Sequence, residues 1–541
     1  MRRLRFAAIA LVPLLAGGFL LQSRATANSA RLFDQVLGVV SDRFVDTLAT
    51  GQLYEKAAKG LVKELNDPYT VLLSPKELAS FTRTTSGRYG GVGMQIEEQQ
   101  GWVTVSRVFP HTPAEAAGIR EGDRIVQIDT QSARGWKIDQ VSNTLLGTPG
   151  TKVSVRFQRP GVPEPINVRF TRAVIHIPAV PYALMLDGKV GYVPLQQFNE
   201  TASDEVEEAL ERLGAQGARA FILDLRGNPG GYFEQSHAVS NLFLRQGQEI
   251  VSARGRNTPT QTYQAQAKPL VPAAPLVVLV DGGSASASEI VAGALQDHDR
   301  GLVVGTTSFG KGLVQSVFPL DGGWALKMTT AKYFTPTGRS IQRERKLLPS
   351  GEFVEVLPDS LETDSARKAR PAFRTDAGRT VYGGGGIAPD ILVKPDTLTT
   401  AEQTLAKALA PKAQDVYVTL SDFALELKNQ VKSPNFPVTP AYRDEFFARL
   451  QKKGVALDRA TYDSGAAYID RVIGQRVTRL AFGDSSAKRR EMPDDVQLLK
   501  ALDVLKRGQT QKDLFVIASR EQPALPTATD KTAQKTDAAR P

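Results

Sequence analysis

The sequence predicts a multidomain α/β protein, in which a mixed core carries an inserted β-rich domain and helical N- and C-terminal extensions. Within residues 173–395, apolar runs such as Leu276–Val280 alternate with helical stretches, a pattern typical of buried strands and the helices between them. Residues 86–172 instead contain short β-runs separated by glycine turns. Residues 28–85 and 396–520 place apolar side chains at helical spacing. A length of 541 residues allows about three domains.

The first residues have the pattern of an export signal. Arg2–Arg5 is positively charged, Phe6–Leu21 is apolar, and Ala25-Thr-Ala27 offers a cleavage site of small residues. We therefore expect residues 1–27 to be a signal peptide and the mature protein to be periplasmic or on the outer face of the inner membrane. Retention of residues 6–21 as an uncleaved anchor is the alternative.

The composition excludes several classes of site. The chain has no cysteine, which rules out disulfides, thiol catalysis and thiolate metal ligands. Its net charge is +10, but the Lys and Arg residues are scattered, so we expect no nucleic-acid surface. The four histidines show no metal-ligand spacing, and we expect no metal site.

The β-rich region, residues 86–172, has a recognisable order of elements. A glycine loop precedes a strand at Arg88–Ile96, a helix is predicted at Ile138–Leu146, and a strand follows at Gly150–Phe157. This order resembles a bacterial PDZ domain. The resemblance implies that the backbone N–H groups of the loop bind a peptide's terminal carboxylate while the peptide adds as a strand. The residues concerned are Gly90, Gly91, Val92 and Gly93 in the loop, with Val141 and Leu145 lining the pocket or belonging to the ordinary core.

The core contains a candidate nucleophile and a candidate base. Ser286 stands at the start of a predicted helix that includes Ile290–Gln296, and Lys311 follows a second β-run, Leu302–Gly305. A hydroxyl becomes a good nucleophile when a neighbouring base takes its proton, and a lysine in apolar surroundings is such a base. The helix start also leaves the Ala287 N–H available to stabilise an oxyanion.

Three segments together resemble one enzyme family. They are Asp224–Gly231 (DLRGNPGG), Ser284–Glu289 (SASASE) and Phe309–Gln315 (FGKGLVQ). They resemble the carboxy-terminal processing (tail-specific) serine peptidases, whose Ser/Lys dyad lies in a crotonase-like α/β core. The resemblance implies Ser286 as nucleophile, Lys311 as general base and Gln315 as the residue that orients the lysine. It also implies an oxyanion hole formed by Ala287 and one of Gly230 and Gly231, and no metal or organic cofactor.

The chain departs from the family pattern in two places. A polar segment, residues 343–385, precedes Gly386–Asp390 and is predicted to be a surface insertion. The helical region 396–520 lies outside the resemblance, and its role as a packing arm or a dimerisation element stays open, so a homodimer is one expectation. Residues 521–541 contain almost no large apolar side chains and are predicted to be disordered.

Other functions fit the sequence less well. Gly305–Lys311 spells most of a P-loop, but Gly312 replaces the required Ser or Thr and a strand pattern follows. Tyr462–Gly465 is similar to an aspartic-peptidase loop, yet it is single and is predicted to be a turn. His237 offers a Ser-His-Asp alternative. An inert PDZ scaffold that binds peptide C-termini, or an acyl-CoA enzyme with the same core, are the remaining classes. The expected partners are proteins with accessible C-termini.

Overall fold

The computed structural model describes residues 30–99, 101–159, 161–256, 259–347, 353–355, 369–395 and 398–521. The predicted signal peptide and nearly all of the predicted disordered tail lie outside the described residues. Glu521, which we assigned to that tail, instead ends a helix. The chain forms two compact units, one of residues up to Leu78 with Gln315–Thr329, and one of Ala79–Val314 with the chain from Thr330 onward.

The first unit combines the N-terminal helices with a strand pairing. Helix α1 (30–43) and helix α2 (Thr50–Lys63) precede strand β1 (Val71–Leu73), which pairs antiparallel with Ala325–Lys327. The helical arm predicted for residues 28–85 therefore also contributes a strand, which pairs with residues that we had assigned to the core. Among the described residues, no helix has both the length and the apolar character needed to cross a membrane.

A small antiparallel sheet forms the β-rich part of the second unit. Helix α3 (Pro75–Ser86) and strand β2 (Arg88–Gly91) lead into it. Its elements are β3 (Met94–Gln99), β4 (Trp102–Val108), α4 (Pro113–Ala116), β5 (Arg124–Ile128), β6 (Gln131–Ser132), α5 (Ile138–Leu145), β7 (Lys152–Gln158) and β8 (Ile166–Thr171). The strands follow the order β3-β4-β5-β7-β8, with β6 beside β5. Strand β3 is an edge strand and lies beside α5.

The core of the second unit is a six-stranded sheet. The elements from residue 173 to residue 395 are β9 (Ala173–His176), β10 (Leu184–Leu186), β11 (Val190–Pro194), α6 (Ala202–Ala215), β12 (Ala220–Asp224), α7 (Phe233–Asn241), β13 (Glu249–Gly255), β14 (Gln261–Gln264), β15 (Leu276–Val280), α8 (Ala287–Asp297), β16 (Leu302–Gly305), β17 (Leu313–Pro319), β18 (Ala325–Phe334), β19 (Arg345–Leu347), β20 (Phe353–Glu355), β21 (Ala372–Arg374), β22 (Thr380–Tyr382) and β23 (Ile391–Leu392). The strands of the core sheet follow the order β10-β11-β12-β15-β16-β23. All neighbouring strands in it are parallel except β10 and β11.

Both faces of this sheet are covered, which explains its unbroken apolar strands. Helices α6, α7 and α8 pack on one face around Val278 and Val280. On the other face, Val277 and Leu279 pack against Leu498 and Leu502 of the C-terminal region. All five residues of β15 are buried, as the run of apolar residues predicts.

The predicted insertion contributes to the packing of the core and is not confined to the surface. Strands β21 and β22 form a hairpin, and Thr375 between them is buried. Arg379 of this segment pairs with Asp299 and Asp390. Arg343 at its start is also buried and donates to the carbonyl of Ser308 at 3.1 Å.

The C-terminal region is helical, as predicted. Its helices are α9 (Thr400–Leu409), α10 (Ala413–Leu427), α11 (Pro440–Lys452), α12 (Arg459–Ser464), α13 (Ala466–Glu491), α14 (Val496–Arg507) and α15 (Gln511–Glu521). Helices α9 to α13 enclose a core of their own, to which Phe446 and Leu450 belong, whereas α14 and α15 cover the sheet. The turn predicted at Tyr462–Gly465 is wrong, because α12 extends through Ser464.

The C-terminal region also contacts the small antiparallel sheet. Tyr417 of α10 donates its hydroxyl to the Glu97 carboxylate at 2.9 Å, and Gln414 donates to the carbonyl of Glu98 at 2.9 Å. Arg107 forms an ion pair with Asp484. These contacts show that the region packs on the rest of the chain, one of the two roles that the sequence left open.

Candidate active site

Three loops meet at one edge of the six-stranded sheet. They follow β12, β15 and β16, which are consecutive in the sheet and parallel, so their carboxyl ends lie side by side. The first loop contains Gly230 and Gly231, the second ends at Ser286, and the third leads to Lys311. Residues far apart in the chain are thereby brought into one site.

Ser286 has an unusual backbone conformation directly before helix α8. Its φ is 55° and its ψ is −110°, a region that costs a non-glycine residue about 1–3 kcal/mol. The neighbouring Ser284 and Ser288 are buried, and their hydroxyls donate to the carbonyls of Leu225 and Asn228 at 2.8 and 2.9 Å. Ser286 is only half-buried. Of the three serines near the start of α8, Ser286 is therefore the one that the strained turn leaves partly exposed.

Two backbone N–H groups near Ser286 are suited to an oxyanion. Ala287 is the first residue of α8, where no helical partner exists for its N–H. A Cβ built on Gly230 would lie 2.9 Å from Ser286 Cβ and 3.0 Å from Ala287 N, so the glycine loop directly abuts the helix start. The N–H of Gly230 donates to Asn228 Oδ1 at 2.9 Å. Within the described part of the chain, the N–H of Gly231 has no hydrogen-bond partner.

Glu289 connects the serine and lysine segments, a role that the sequence interpretation missed. Its carboxylate is fully buried and accepts from the N–H groups of Ser286 and Lys311 on Oε2, each at 2.8 Å. On Oε1 it accepts from the N–H of Gly310 at 2.7 Å and from the hydroxyl of Ser308 at 2.5 Å. Burial raises the pKa of Glu289, and these four hydrogen bonds oppose the shift. The Ser-x-x-Glu spacing of a capping box, from Ser286 to Glu289, could have indicated this glutamate from the sequence.

Lys311 lies on a segment held at several points. Besides the bonds to Glu289, Phe309 N–H donates to the Ser284 carbonyl at 3.0 Å, and Gly312 N–H donates to Gln342 Oε1 at 2.9 Å. The Lys311 side chain is half-buried. The backbone of the candidate base is therefore fixed relative to the serine loop.

Gln315 belongs to the first unit, where its amide donates to the carbonyl of Tyr69 at 3.3 Å. Tyr69 ends the Asn-Asp-Pro-Tyr segment after α2. This partner was not foreseen, and the orientation of Lys311 by Gln315 stays a prediction.

The predicted peptide-binding residues fall into two groups. Gly90 and Gly91 were expected in a loop but are part of β2, which pairs with β9, so only Val92 and Gly93 connect β2 to β3. Gly93 has φ 89°, and a Cβ there would lie 2.2 Å from Thr112 Cβ, which explains the glycine. Val141 and Leu145 lie in the buried core of this sheet, the second of the two positions that the sequence left open.

The rival catalytic interpretations find no support in the geometry. His237 Nε2 lies 2.9 Å from the carbonyl of Gln264 on β14, and its ring packs against Tyr263. The P-loop alternative requires a helix after Lys311, and the chain instead forms strand β17.

Two family profiles and several known proteins match this chain. Residues 189–352 match the profile of peptidase family S41, and residues 104–159 match that of the PDZ domain. The carboxy-terminal-processing protease of Bartonella bacilliformis is 36% identical over 315 residues, which cover 57% of this chain and 72% of the relative. The carboxyl-terminal-processing protease of Picosynechococcus sp. is 40% identical over 283 residues, covering 52% and 68%. The chain belongs to the carboxy-terminal processing peptidases of family S41.

Members of this family are serine-type peptidases, and the protein is a mixed α/β member with a PDZ domain, as the sequence predicted. A solved photosystem II D1 C-terminal processing protease shares 31% identity, and the match covers 67% of this chain and 87% of that one. The TM-score of this match is 0.35. The S41 profile ends at residue 352, so helices α9 to α15 lie beyond it.

Proposed function

We propose that this S41 peptidase is an exported serine endopeptidase that cuts proteins selected by their C-termini, with Ser286 and Lys311 as its catalytic dyad. The observation that carries the proposal is the pair of segments joined by Glu289. One presents Ser286 in a strained turn at a helix start, and the other presents the lysine. This observation supports the proposal, because the candidate nucleophile and the candidate base lie on segments whose backbones bind the same carboxylate.

The uncharged form of Lys311 would take the proton of the Ser286 hydroxyl as the oxygen attacks the scissile carbonyl. The carbonyl oxygen becomes an oxyanion, which the N–H groups of Ala287 and Gly231 stabilise by roughly 3–4 kcal/mol each. The protonated amine then donates its proton to the leaving amide nitrogen, and the acyl-enzyme forms. Water, deprotonated by the same lysine, releases the acyl group. No cofactor takes part in these steps.

The PDZ domain would capture the substrate's C-terminus along β3, which ends the strand order of its sheet and lies beside α5. Export is supported by the charged, apolar and small-residue order of residues 1–27.

The test incubates purified protein with an unfolded polypeptide that carries varied C-terminal residues, and maps the products by mass spectrometry. Wild type should cleave upstream of the C-terminus with a rate that depends on the last residues, whereas Ser286→Ala should release no product. Equal product from Ser286→Ala would exclude the nucleophile, and absence of cleavage by both, with peptide binding retained, would favour an inert PDZ scaffold.

A further inference from the structure

Arg226, in the loop that carries Gly230 and Gly231, joins that loop to the helical C-terminal region. Its guanidinium donates from Nε to Asp224 Oδ1 at 2.9 Å and from Nη2 to Asp224 Oδ2 at 2.6 Å. It also donates from Nη1 and Nη2 to the two carboxylate oxygens of Asp495, at 2.7 and 2.9 Å. A further Nη1 bond reaches Gln497 Oε1 at 3.1 Å. All five N–H donors of the arginine are thereby used.

Asp495 is placed for this contact by its own helix. It caps the N-terminus of α14, where its side chain accepts from the N–H of Leu498 at 3.0 Å. Lys488 of α13 donates to it at 2.8 Å. Burial favours a higher pKa for Asp495, but Arg226 and Lys488 outweigh burial and hold its pKa below the ordinary value. The carboxylate is ionised at neutral pH and is bound to two cations.

Helix α14 is firmly anchored, so Asp495 is a rigid point of attachment. Leu498, Ala501 and Leu502 of α14 are buried against the sheet face that carries Ile222 and Leu279. Burying a leucine side chain contributes about 1.5–3 kcal/mol, so the helix is held independently of its polar contacts. Gln497 also donates to the carbonyl of Val393 at 2.8 Å.

The glycine loop also has contacts with the serine loop and with the segment that follows β11. After Arg226, the N–H of Gly227 donates to Asp281 Oδ1 at 2.9 Å, and Asn228 accepts from Ala285 N–H at 3.0 Å. These partners belong to the serine loop. On the side of the segment after β11, Asn228 Nδ2 donates to the carbonyl of Leu195 at 2.7 Å, and the N–H of Phe198 donates to the carbonyl of Gly230 at 3.1 Å. Arg226 adds the connection between the glycine loop and the helical C-terminal region.

We propose that Asp495 is a positioning residue for catalysis: acting through Arg226, it holds the Gly230–Gly231 loop where the Gly231 N–H meets the oxyanion. The helical region beyond the S41 profile is then a part of the peptidase site. This inference rests on the proposed function, because it needs hydrolysis that depends on Ser286.

The test compares Asp495→Asn with Asp503→Asn, which makes the same charge change on an exposed part of α14. Asparagine also caps helices, so Asp495→Asn keeps the helix cap but removes the charged carboxylate that binds Arg226. The concentration of active sites is titrated with a fluorophosphonate, and kcat is calculated per titrated site. A loss of packing lowers the titrated fraction, whereas a misplaced oxyanion donor lowers kcat at each site.

We expect Asp495→Asn to lower kcat per titrated site by about 10- to 100-fold with KM within about twofold, because an oxyanion contact is made only in the transition state. Asp503→Asn should match wild type. If Asp495→Asn does not fold, Arg226→Lys should show the same loss of kcat per titrated site. Lysine keeps the positive charge but lacks the planar guanidinium that binds both Asp224 and Asp495. If the folded variant keeps the parental kcat per titrated site, this inference is wrong but the proposed function stands. If Ser286→Ala still hydrolyses the substrate, both the inference and the proposed function are wrong.

Discussion

The carboxylate of Glu289 accepts a hydrogen bond from the backbone N–H of Lys311 at 2.8 Å, through the oxygen that also binds the N–H of Ser286. One buried side chain thus sets the separation of the two segments that carry the dyad. Its second oxygen adds Gly310 and Ser308 of the lysine segment. The two oxygens of Glu289 accept all four of these hydrogen bonds, whereas the NH2 group of a glutamine would face hydrogen-bond donors.

Replacement of this carboxylate is expected to reduce catalysis strongly, although Glu289 lies outside the dyad. Glu289→Gln should lower the rate of Ser286 labelling by a fluorophosphonate by roughly 100-fold, because a displacement of about 1 Å at the reacting atoms has that effect. Glu234→Gln is the matched control, since Glu234 is an exposed first-turn acid on the neighbouring α7. Labelling of Glu289→Gln at the wild-type rate would show that the shared anchor is dispensable.

The same residue predicts a dependence of stability on pH. Burial raises the folded pKa of Glu289 above the unfolded value, so the folded state binds the proton more tightly. Its favourable contribution is complete below the unfolded pKa, about 4.5, and is lost as pH rises through the folded pKa. The difference in unfolding free energy between wild type and Glu289→Gln should therefore be more favourable to wild type at pH 5 than at pH 8. Urea titrations at both values measure it, and an unchanged or reversed difference contradicts the assignment.

At Gly231 the surrounding backbone leaves no room for a side chain. Its φ is 154°, and an added Cβ would lie 2.1 Å from the carbonyl oxygen of Phe198. Gly231→Ala should therefore displace the loop and reduce kcat by about 100-fold or more, consistent with the loss of one oxyanion donor. Gly282→Ala is the control, because a Cβ there meets nothing within 4 Å. Equal kcat in the two variants would remove Gly231 from the oxyanion hole.

The buried ion pair between Arg339 and Asp297 predicts a large effect on stability. Both side chains are fully buried, and Arg339 Nη2 lies 2.7 Å from Asp297 Oδ1. Arg339→Ala leaves the carboxylate buried without its cation, which costs roughly 3–5 kcal/mol. Arg374→Ala, which removes an exposed arginine from the β21–β22 hairpin, should change little. Thermal unfolding of the two variants measures the difference, and comparable melting temperatures would contradict the prediction.

The sequence predicted the strands and helices that local pattern controls. Leu276–Val280 is a strand with the predicted bounds because a parallel strand covered on both faces must be apolar throughout. The helix containing Ile290–Gln296 was foreseen as well, and it extends over Ala287–Asp297. Spacing alone was enough for these elements.

Contacts between distant residues could not be read in the same way. Glu289 looked like a helix cap, and nothing local indicates that its carboxylate also reaches Lys311. The pairing of Gln315 with Tyr69 and that of Arg226 with Asp495 join residues hundreds of positions apart. Val141 was assigned to a pocket or to the core, and only its packing in the sheet shows the core. These contacts depend on how distant segments of the chain pack together, and a single sequence does not reveal that packing.

The most direct test of the dyad is the rate at which Lys311→Ala hydrolyses an unfolded polypeptide, compared with wild type at the same concentration of folded protein. Loss of a general base should lower this rate by about 10²- to 10⁴-fold while circular dichroism remains unchanged. Hydrolysis by Lys311→Ala at the parental rate would contradict the account.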